Sequence, residues 1–226
     1  RNLFLRFVYD TGDSMGMNGV TIGTDAALKL VEDTFPAVKS VSLSGNLCTD
    51  KKPSAINLIE GRGKSITAEV VIPNEIIQTT LKTDANTLIE VNYRKNMIGS
   101  AQAGSYGFNA HFANIVAAIF LATGQDIAQV VEGSQGFTTV EADKDGVYFA
   151  VTLPSLEVAT VGGGTKIETQ KEALGILGIS GGGKNSGDNS KALSEICAAT
   201  VLAGEISLIG ALAARHLAKA HIEYGR

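Results

Sequence analysis

The chain has 226 residues, of which 44% are hydrophobic and 19% charged, and its formal net charge at pH 7 is -4. This length and apolar content suffice for one large domain or two small ones, and they predict a soluble globular protein. The acidic balance argues against a general nucleic-acid binder, because nothing would offset repulsion by the phosphate backbone. Cys48 and Cys197 lie far apart in sequence, so they give no disulfide framework and suit a reducing compartment.

The apolar stretches are predicted to be too short to cross a membrane. A bilayer span needs about 20 apolar residues, and Glu195, Glu205 and Arg215 divide the C-terminal apolar run into shorter pieces. We therefore interpret that run as a buried helix. The chain opens at Arg1, without a methionine, on a strand-like segment. We expect it to be a piece of a longer polypeptide, cytoplasmic in this part, with the question of a membrane anchor upstream of Arg1 left open.

The first 43 residues predict a strand, a loop, a helix and a return strand. Residues 2–9 alternate loosely between apolar and polar side chains, and residues 38–43 form a second apolar run. Between them, an apolar periodicity with helical spacing ends before Pro36. The loop at residues 12–18 enters this helix, and its N–H groups suit a dinucleotide phosphate. Its glycines do not fit the G-x-G-x-x-G spacing, so a Rossmann fold is unsupported and an ordinary helix-entry loop remains the simpler interpretation.

Residues 44–53, Ser-Gly-Asn-Leu-Cys-Thr-Asp-Lys-Lys-Pro, form a loop rich in polar groups. Asp50 can pair with one of the neighbouring lysines, Lys51 and Lys52. The other lysine is then left to meet a carboxylate or a developing oxyanion. By composition alone, a surface loop of turn-forming residues is at least as good an interpretation.

Further along the chain, periodicity and turn residues predict alternating strands and helices. The strands are predicted at 65–72, 147–153 and 157–161, and the helices at 74–81, 83–92, 110–122 and 191–220. Residues 96–125 contain no Asp, Glu, Lys or Arg, which predicts a buried element, and Gly124 is well placed to end its helix. Asp126 follows directly. Its position suits an acid/base carboxylate, although a solvated turn is the commoner setting.

Two glycine-rich segments follow. Residues 162–164 are three glycines, whose missing side chains let the backbone approach a ligand closely. Residues 178–184 match the first seven places of a P-loop, but Asn185 stands where Ser or Thr would ligate Mg²⁺. We interpret residues 180–189 as a flexible connection and reject a nucleoside triphosphatase. No metal site is predicted, because three scattered histidines and two cysteines show no ligand spacing.

These motifs resemble those of the class I 3-hydroxy-3-methylglutaryl-CoA (HMG-CoA) reductases, of archaeal style, along essentially the whole chain. The matching segments are residues 12–18, 44–65, 109–114, 124–126, 160–165 and 216–221, in the family's order. The resemblance implies an NADPH-dependent oxidoreductase of isoprenoid biosynthesis. Such an enzyme reduces HMG-CoA to mevalonate and CoA through a mevaldyl-CoA hemithioacetal. It also implies an α+β fold, with part of a small ferredoxin-like NADP(H)-binding domain at 1–43. A large helix-rich domain around a central buried helix would span 44–226.

The resemblance carries roles onto matching positions of this sequence. The implied catalytic residues are Lys51 beside the thioester oxygen, Asp126 tuning Lys51, and His221 protonating the CoA thiolate; His216 is interpreted as structural. The residues implied to bind substrate are Ser44, Asn46, Asp50, Lys52, His111 and Asn114. The residues implied to contact the cofactor are Asp13, Met15, Met17, Asn18, Gly162, Gly163, Gly164 and Thr165.

The resemblance further implies a homodimer or homotetramer with the active site at the subunit interface. In the family the catalytic glutamate lies upstream of the part matched here, so the 226-residue piece alone is expected to be nearly inactive. HMG-CoA, CoA and mevalonate are the implied small-molecule partners, and neither nucleic acid nor membrane contact is expected. Two alternatives stay open: a non-catalytic CoA/NADP(H)-binding module, and another CoA-thioester or dinucleotide enzyme of this fold. Intact Asp50, Lys51 and Lys52, together with Asp126 and His221, argue against both alternatives.

Overall fold

The computed structural model describes residues 1–215 of the chain. His216 and His221 lie outside the described residues, so the roles expected of them stay predictions. The helices are α1 Met17–Thr34, α2 Ala55–Ile59, α3 Asn74–Thr79, α4 Ala85–Val91, α5 Ser100–Gln102, α6 Phe112–Thr123, α7 Val130–Gly133, α8 Glu168–Ile176 and α9 Asp188–Ala213. A π-helix at Asn92–Gly99 joins α4 to α5, and short 3₁₀ helices occupy Ile127–Gln129 and Gly163–Lys166. The strands are β1 Lys64–Pro73, β2 Phe137–Asp143 and β3 Gly146–Leu156.

The strands form an antiparallel sheet in the order β1-β3-β2. β2 and β3 make a hairpin in which Asp143 lies opposite Gly146, and β1 pairs along β3. The predictions of strands at 65–72 and 147–153 are confirmed, as is the α+β class. β2 was not predicted from the sequence. Its two buried residues are Thr138 and Val140, and because the first of them is polar, the strand lacks a clear apolar pattern.

The predictions of strands at residues 2–9, 38–43 and 157–161 are wrong. Among residues 1–215, residues 2–9 and 38–43 have no strand partner, and residues 157–161 make only an isolated parallel bridge, from Val161 to Ser14. A strand is stabilised by hydrogen bonds and side-chain pairs to a neighbour, so alternation without a partner does not create one. The ferredoxin-like domain and the boundary at residue 43 therefore remain expectations.

The core lies between the sheet and α9, with α6 beside it. Ten of the 26 residues of α9 are buried, among them Leu193, Val201 and Ile209. The expectation that its charges cut this helix too short for a membrane is wrong: α9 is long and apolar enough by length and composition. Of the three charges, Arg215 lies beyond the end of α9, and the last 18 residues of the helix contain only Glu205. Glu205 itself is fully buried and hydrogen-bonded inside the protein. The interpretation as a core helix agrees with these contacts.

Helix α6 confirms the predicted apolar helix and its end. Gly124 takes the left-handed conformation, φ 72°, that closes it. The prediction of a buried element at residues 96–125 is wrong in part: α6 buries one face, through Phe112, Val116 and Phe120, whereas Leu121 is 68% exposed. Residues 101–106 are also exposed. An uncharged segment is free to enter a core, but only packing decides which of its faces is covered.

Glu205 fixes the start of α6. Its carboxylate accepts hydrogen bonds from the backbone N–H groups of Ala110 and His111, at 2.8 and 2.7 Å, and from the Thr138 hydroxyl at 2.6 Å. A negative group is stabilising at this end of a helix, where N–H groups lack intrahelical partners. This contact sets the position of His111 in the candidate site.

Glu205→Ala is expected to lower the free energy of unfolding by about 3 kcal/mol, because three donors, one buried and two partly buried, lose their acceptor. Urea denaturation followed by circular dichroism measures this. The control is Glu90→Ala, since Glu90 is exposed and pairs with Arg94 one turn away; its effect should be about 0.5 kcal/mol or less. Equal losses in the two variants would contradict the role assigned to Glu205.

Candidate active site

Lys51 and Asp126 meet at the centre of the site. The Lys51 ammonium lies 2.8 Å from Asp126 Oδ2, with the two side chains 40% and 30% exposed. The hydrogen bond that Lys51 donates to the Asp126 carboxylate raises the pKa of Lys51 above its ordinary value. Lys51 therefore stays positively charged at neutral pH, as a group that stabilises an oxyanion must. The expectation that these two residues are neighbours is met.

Asp126 is held by the turn that ends α6. The Gln125 side chain accepts from Ala159 N at 2.7 Å and donates to Ala159 O at 2.9 Å, tying the turn to the segment after β3. Asp126 Oδ1 accepts from Ala128 N at 3.1 Å, which caps the following 3₁₀ helix. Since one oxygen is engaged with the backbone, the other is aimed at Lys51.

The Lys51 loop has an unusual backbone. Asn46, Thr49 and Lys51 all have φ between 56° and 60°, a left-handed conformation that non-glycine residues seldom adopt. Thr49 is buried, and its hydroxyl contacts both the Cys48 carbonyl and Asn57 Oδ1. Residues in this conformation persist when surrounding contacts over-determine them, so the loop is built to hold one shape.

A buried charge cluster lies beneath the loop, and sequence reasoning missed it. Arg62 donates to the Cys48 carbonyl at 2.7 Å and to Asp50 Oδ1 at 3.3 Å, and pairs with Glu157. Carboxylate oxygens of Asp50, Glu132 and Glu157 lie within 4.8 Å of one another. The Arg62 guanidinium among them supplies a compensating positive charge. The only signal in the sequence was the charged segment around residue 60, since Glu132 and Glu157 lie far from it in sequence.

Burial raises the pKa of Glu157 to about 8, even though Arg62 favours its charged form. A carboxyl group with a folded-state pKa above its unfolded value of 4.5 stabilises the fold fully below pH 4.5. That contribution is lost as pH rises to about 8.

Glu157→Gln is therefore expected to be less sensitive to pH than the wild type. Between pH 4.5 and 8 the wild type should lose unfolding free energy relative to the variant, by up to about 1.4 kcal/mol per pH unit. Urea denaturation of both proteins at several pH values gives this difference directly. Glu168→Gln, at the exposed start of α8, serves as the control. A difference independent of pH for Glu157→Gln would refute the assignment.

The remaining substrate residues predicted in the loop are close to Lys51 in the chain but make mostly local contacts. Lys52 Nζ donates to the Asp50 carbonyl at 2.7 Å. The exposed Ser44 lies with its hydroxyl 3.4 Å from the Cys48 sulfur and accepts from Asn46 N at 3.4 Å. Ser44 and Asn46 thus present their free polar atoms to solvent.

His111 and Asn114 lie together at the start of α6. His111 Nε2 is 2.8 Å from the Gly204 carbonyl, and Nδ1 is 3.4 Å from Asn114 Nδ2. A carbonyl accepts only, so Nε2 carries the proton and Nδ1 accepts from the Asn114 amide. His111 also lines a cavity of about 390 Å³ with Pro53, the last residue of the Lys51 loop. The structure therefore places His111, with Asn114 beside it, at a cavity that the loop also lines.

The two segments predicted to contact the cofactor adjoin one another. Thr160 N donates to the Asp13 carbonyl at 2.9 Å, and Ser14 bridges to Val161. A cavity of about 760 Å³ is lined by Met15 and Met17. The same cavity is lined by two predicted substrate residues, Ser44 and Asp50. Asn18 lies on the exposed first turn of α1.

Asp13 is bound to the start of α9. Its carboxylate accepts from Gly183 N and Ser190 N, both at 2.9 Å. Burial acts to raise the pKa of Asp13, but these backbone hydrogen bonds together lower it. The segment 180–189, interpreted as a flexible connection, is thus bound to Asp13 through Gly183, and its last two residues belong to α9, which corrects that interpretation. Asn189 Nδ2 further donates to the Gly181 carbonyl at 3.0 Å.

The glycine loop has two kinds of glycine. Gly164 packs on Gly124, and a Cβ there would lie 2.5 Å from the Gly124 carbonyl oxygen, so its small size serves packing. Gly163, φ 53°, has open space where a side chain would be, which suits close approach by a ligand. Thr165 is buried and donates to the Gly162 carbonyl at 2.6 Å, closing the loop.

Comparisons with known proteins all point to one protein family. The family model described as hydroxymethylglutaryl-coenzyme A reductase matches residues 1–226. The chain is 58% identical over 226 residues to the 3-hydroxy-3-methylglutaryl-coenzyme A reductase of Pyrococcus abyssi and 59% identical over 225 residues to that of Halobacterium salinarum. All of this chain and 55% of each of these relatives are covered. With the Catharanthus roseus enzyme of the same name, identity is 50% over 230 residues, covering 38% of that protein. The chain thus spans about half the length of the archaeal relatives.

Proposed function

Since the chain belongs to the hydroxymethylglutaryl-coenzyme A reductase family, we propose that it is the part of an NADPH-dependent reductase that converts HMG-CoA to mevalonate and CoA. The observation that carries the proposal is the contact between Lys51 and Asp126, 2.8 Å apart in a partly open site. Reduction of a thioester places negative charge on the carbonyl oxygen. A fixed ammonium group stabilises that charge as it develops.

Each residue of the site has a proposed task. Lys51 binds the carbonyl oxygen of the thioester and then that of the aldehyde, while Asp126 keeps Lys51 charged and oriented. His221 protonates the departing CoA thiolate, a step that suits a group titrating near neutrality. The HMG part is held by polar side chains of the loop and of α6, namely Ser44, Asn46, Asp50, Lys52, His111 and Asn114.

The cofactor is proposed to lie along the two adjoining segments, residues 13–18 and 162–165. Two observations support the fit. The backbone at Gly163 is open to close approach, and the first N–H groups of α1 follow directly after Gly16. NADPH, when bound, would supply one hydride per molecule, so two molecules would be used for each HMG-CoA. The protein's part is to orient it toward the cavity that Met17 shares with Asp50.

The wider setting is also proposed. The complete protein is a homodimer or homotetramer with its active site at a subunit interface, and the N-terminal residues 1–43 belong to a small ferredoxin-like NADP(H)-binding domain. The many exposed apolar residues in this segment, such as Phe4, Val8 and Val41, support a further covering surface. A cytoplasmic location agrees with two unpaired cysteines.

The complete gene product should oxidise two NADPH per HMG-CoA and release free CoA. The fall in NADPH absorbance measures cofactor oxidation, and a thiol reagent measures the CoA released. Reactions with NADH in place of NADPH, and without HMG-CoA, are the controls. The 226-residue polypeptide assayed in parallel should turn over little. Binding of HMG-CoA and NADPH by the complete protein without oxidation would instead indicate a non-catalytic binding module.

A further inference from the structure

Glu132, on α7, touches the Lys51 loop from inside the protein. Its side chain is fully buried, and Oε1 accepts the backbone N–H of Lys51 at 2.8 Å, across 81 residues of sequence. Within the part of the chain that the structure describes, Oε2 has no hydrogen-bond partner. A buried carboxylate is costly unless a strong interaction compensates for it. Oε1 also lies 3.9 Å from the Arg62 guanidinium, which compensates part of this charge, while the Lys51 N–H is its hydrogen-bond donor.

The backbone of Lys51 needs such a contact. With φ 56°, and Thr49 at 57°, the loop holds a conformation that L-residues disfavour. Released from its acceptor, the peptide N–H of Lys51 could rotate away. The ammonium group at the end of the same residue would then leave its place beside Asp126.

One short segment holds Lys51 at both ends. Asp126 binds the ammonium group and Glu132 binds the backbone N–H, each at 2.8 Å. Between them Gln129 donates to Asp50 Oδ1 at 3.2 Å. The 3₁₀ turn and α7 form a compact unit, so the distance between the two anchor points is set by local helical geometry.

We propose that Glu132 is a positioning residue, which sets the location of the Lys51 ammonium by accepting the Lys51 backbone N–H. The effect on turnover rests on the proposed function of Lys51. The effect on the geometry of Lys51 does not. The charged groups facing Lys51 are Asp126, Asp50 and Glu132 itself.

The test compares Glu132→Ala with Glu132→Gln in the complete gene product. Gln keeps a carbonyl acceptor and removes the charge, whereas Ala removes both. We expect kcat for HMG-CoA reduction to fall about 100-fold in Glu132→Ala, the scale of a misplacement of about 1 Å, and less than about 5-fold in Glu132→Gln. Glu90→Ala and Glu90→Gln, at an exposed site paired with Arg94, are the controls and should match wild type.

The second readout is the pKa of Lys51, measured by NMR of its labelled side chain and assigned by the signal lost in Lys51→Ala. It should fall slightly in Glu132→Gln, which removes only a charge, and clearly further in Glu132→Ala, because the hydrogen bond to Asp126 is then broken. Glu132→Leu fills the volume without an acceptor and replaces Glu132→Ala if the latter unfolds.

Equal pKa values in the Ala and Gln variants would overturn the proposal, as would wild-type turnover in a folded Glu132→Ala. Equal losses of activity in Ala and Gln would overturn it too, since the charge and not the acceptor would then matter. If the wild-type protein has no reductase activity, the proposed function fails, while the NMR comparison still decides on Glu132.

Discussion

Lys51→Ala is expected to lower kcat for HMG-CoA reduction by about 10²–10³-fold, the loss typical of removing one oxyanion-stabilising donor. The physical reason is that the ammonium group interacts with the carbonyl oxygen more strongly as negative charge develops on it. The affinity for NADPH should change little, because Lys51 contacts Asp126 rather than the segments proposed to bind the cofactor. Steady-state kinetics with HMG-CoA and NADPH varied separately measure both effects.

The matched control is Lys144→Ala. Lys144 lies at the β2–β3 turn, 86% exposed, and faces Asp145 at 3.7 Å, so its removal should leave turnover unchanged. Far-ultraviolet circular dichroism and thermal melting should show that Lys51→Ala is folded. A folded Lys51→Ala variant with normal kcat would contradict the assignment of Lys51 as the oxyanion donor.

Asp126→Asn should lower kcat by about 100-fold or more, at the lower end of what acid/base groups contribute. Loss of its carboxylate removes the main cause of the raised pKa of Lys51 and frees the ammonium group to swing away. The pH dependence of kcat should shift accordingly. The pH at which activity falls on the basic side should be lower in the variant, where Lys51 loses its proton more easily.

A double-mutant cycle tests whether the two residues act as a unit. Lys51→Ala and Asp126→Asn should be strongly non-additive, since either change removes the function of the pair. The pair Lys144→Ala and Asp145→Asn, an exposed ion pair away from the site, should be additive and near neutral. Additive losses at Lys51 and Asp126 would show that Asp126 has a separate role.

Local sequence was sufficient for several elements that position the site. The apolar run before Gly124 predicted α6 and its end, because an apolar helix followed by a residue free to adopt positive φ is a local property. Strand β1, with its β-branched residues, was predicted for the same reason. The residues of the Lys51 loop were identified through their resemblance to a family rather than through their chemistry alone.

Tertiary structure alone decided that Glu132 and Arg62 meet the Lys51 loop. Glu132 binds the Lys51 backbone, and Arg62 lies among three carboxylates. Both contacts follow from the packing of α7 and β3 against the loop. No local pattern encodes them. The prediction of a strand at residues 2–9 was wrong for a related reason, because a strand needs a partner strand to pair with, and alternation of side chains does not supply one. Elements arise from neighbouring residues, which the sequence contains, whereas the site arises from contacts between residues that only folding brings together.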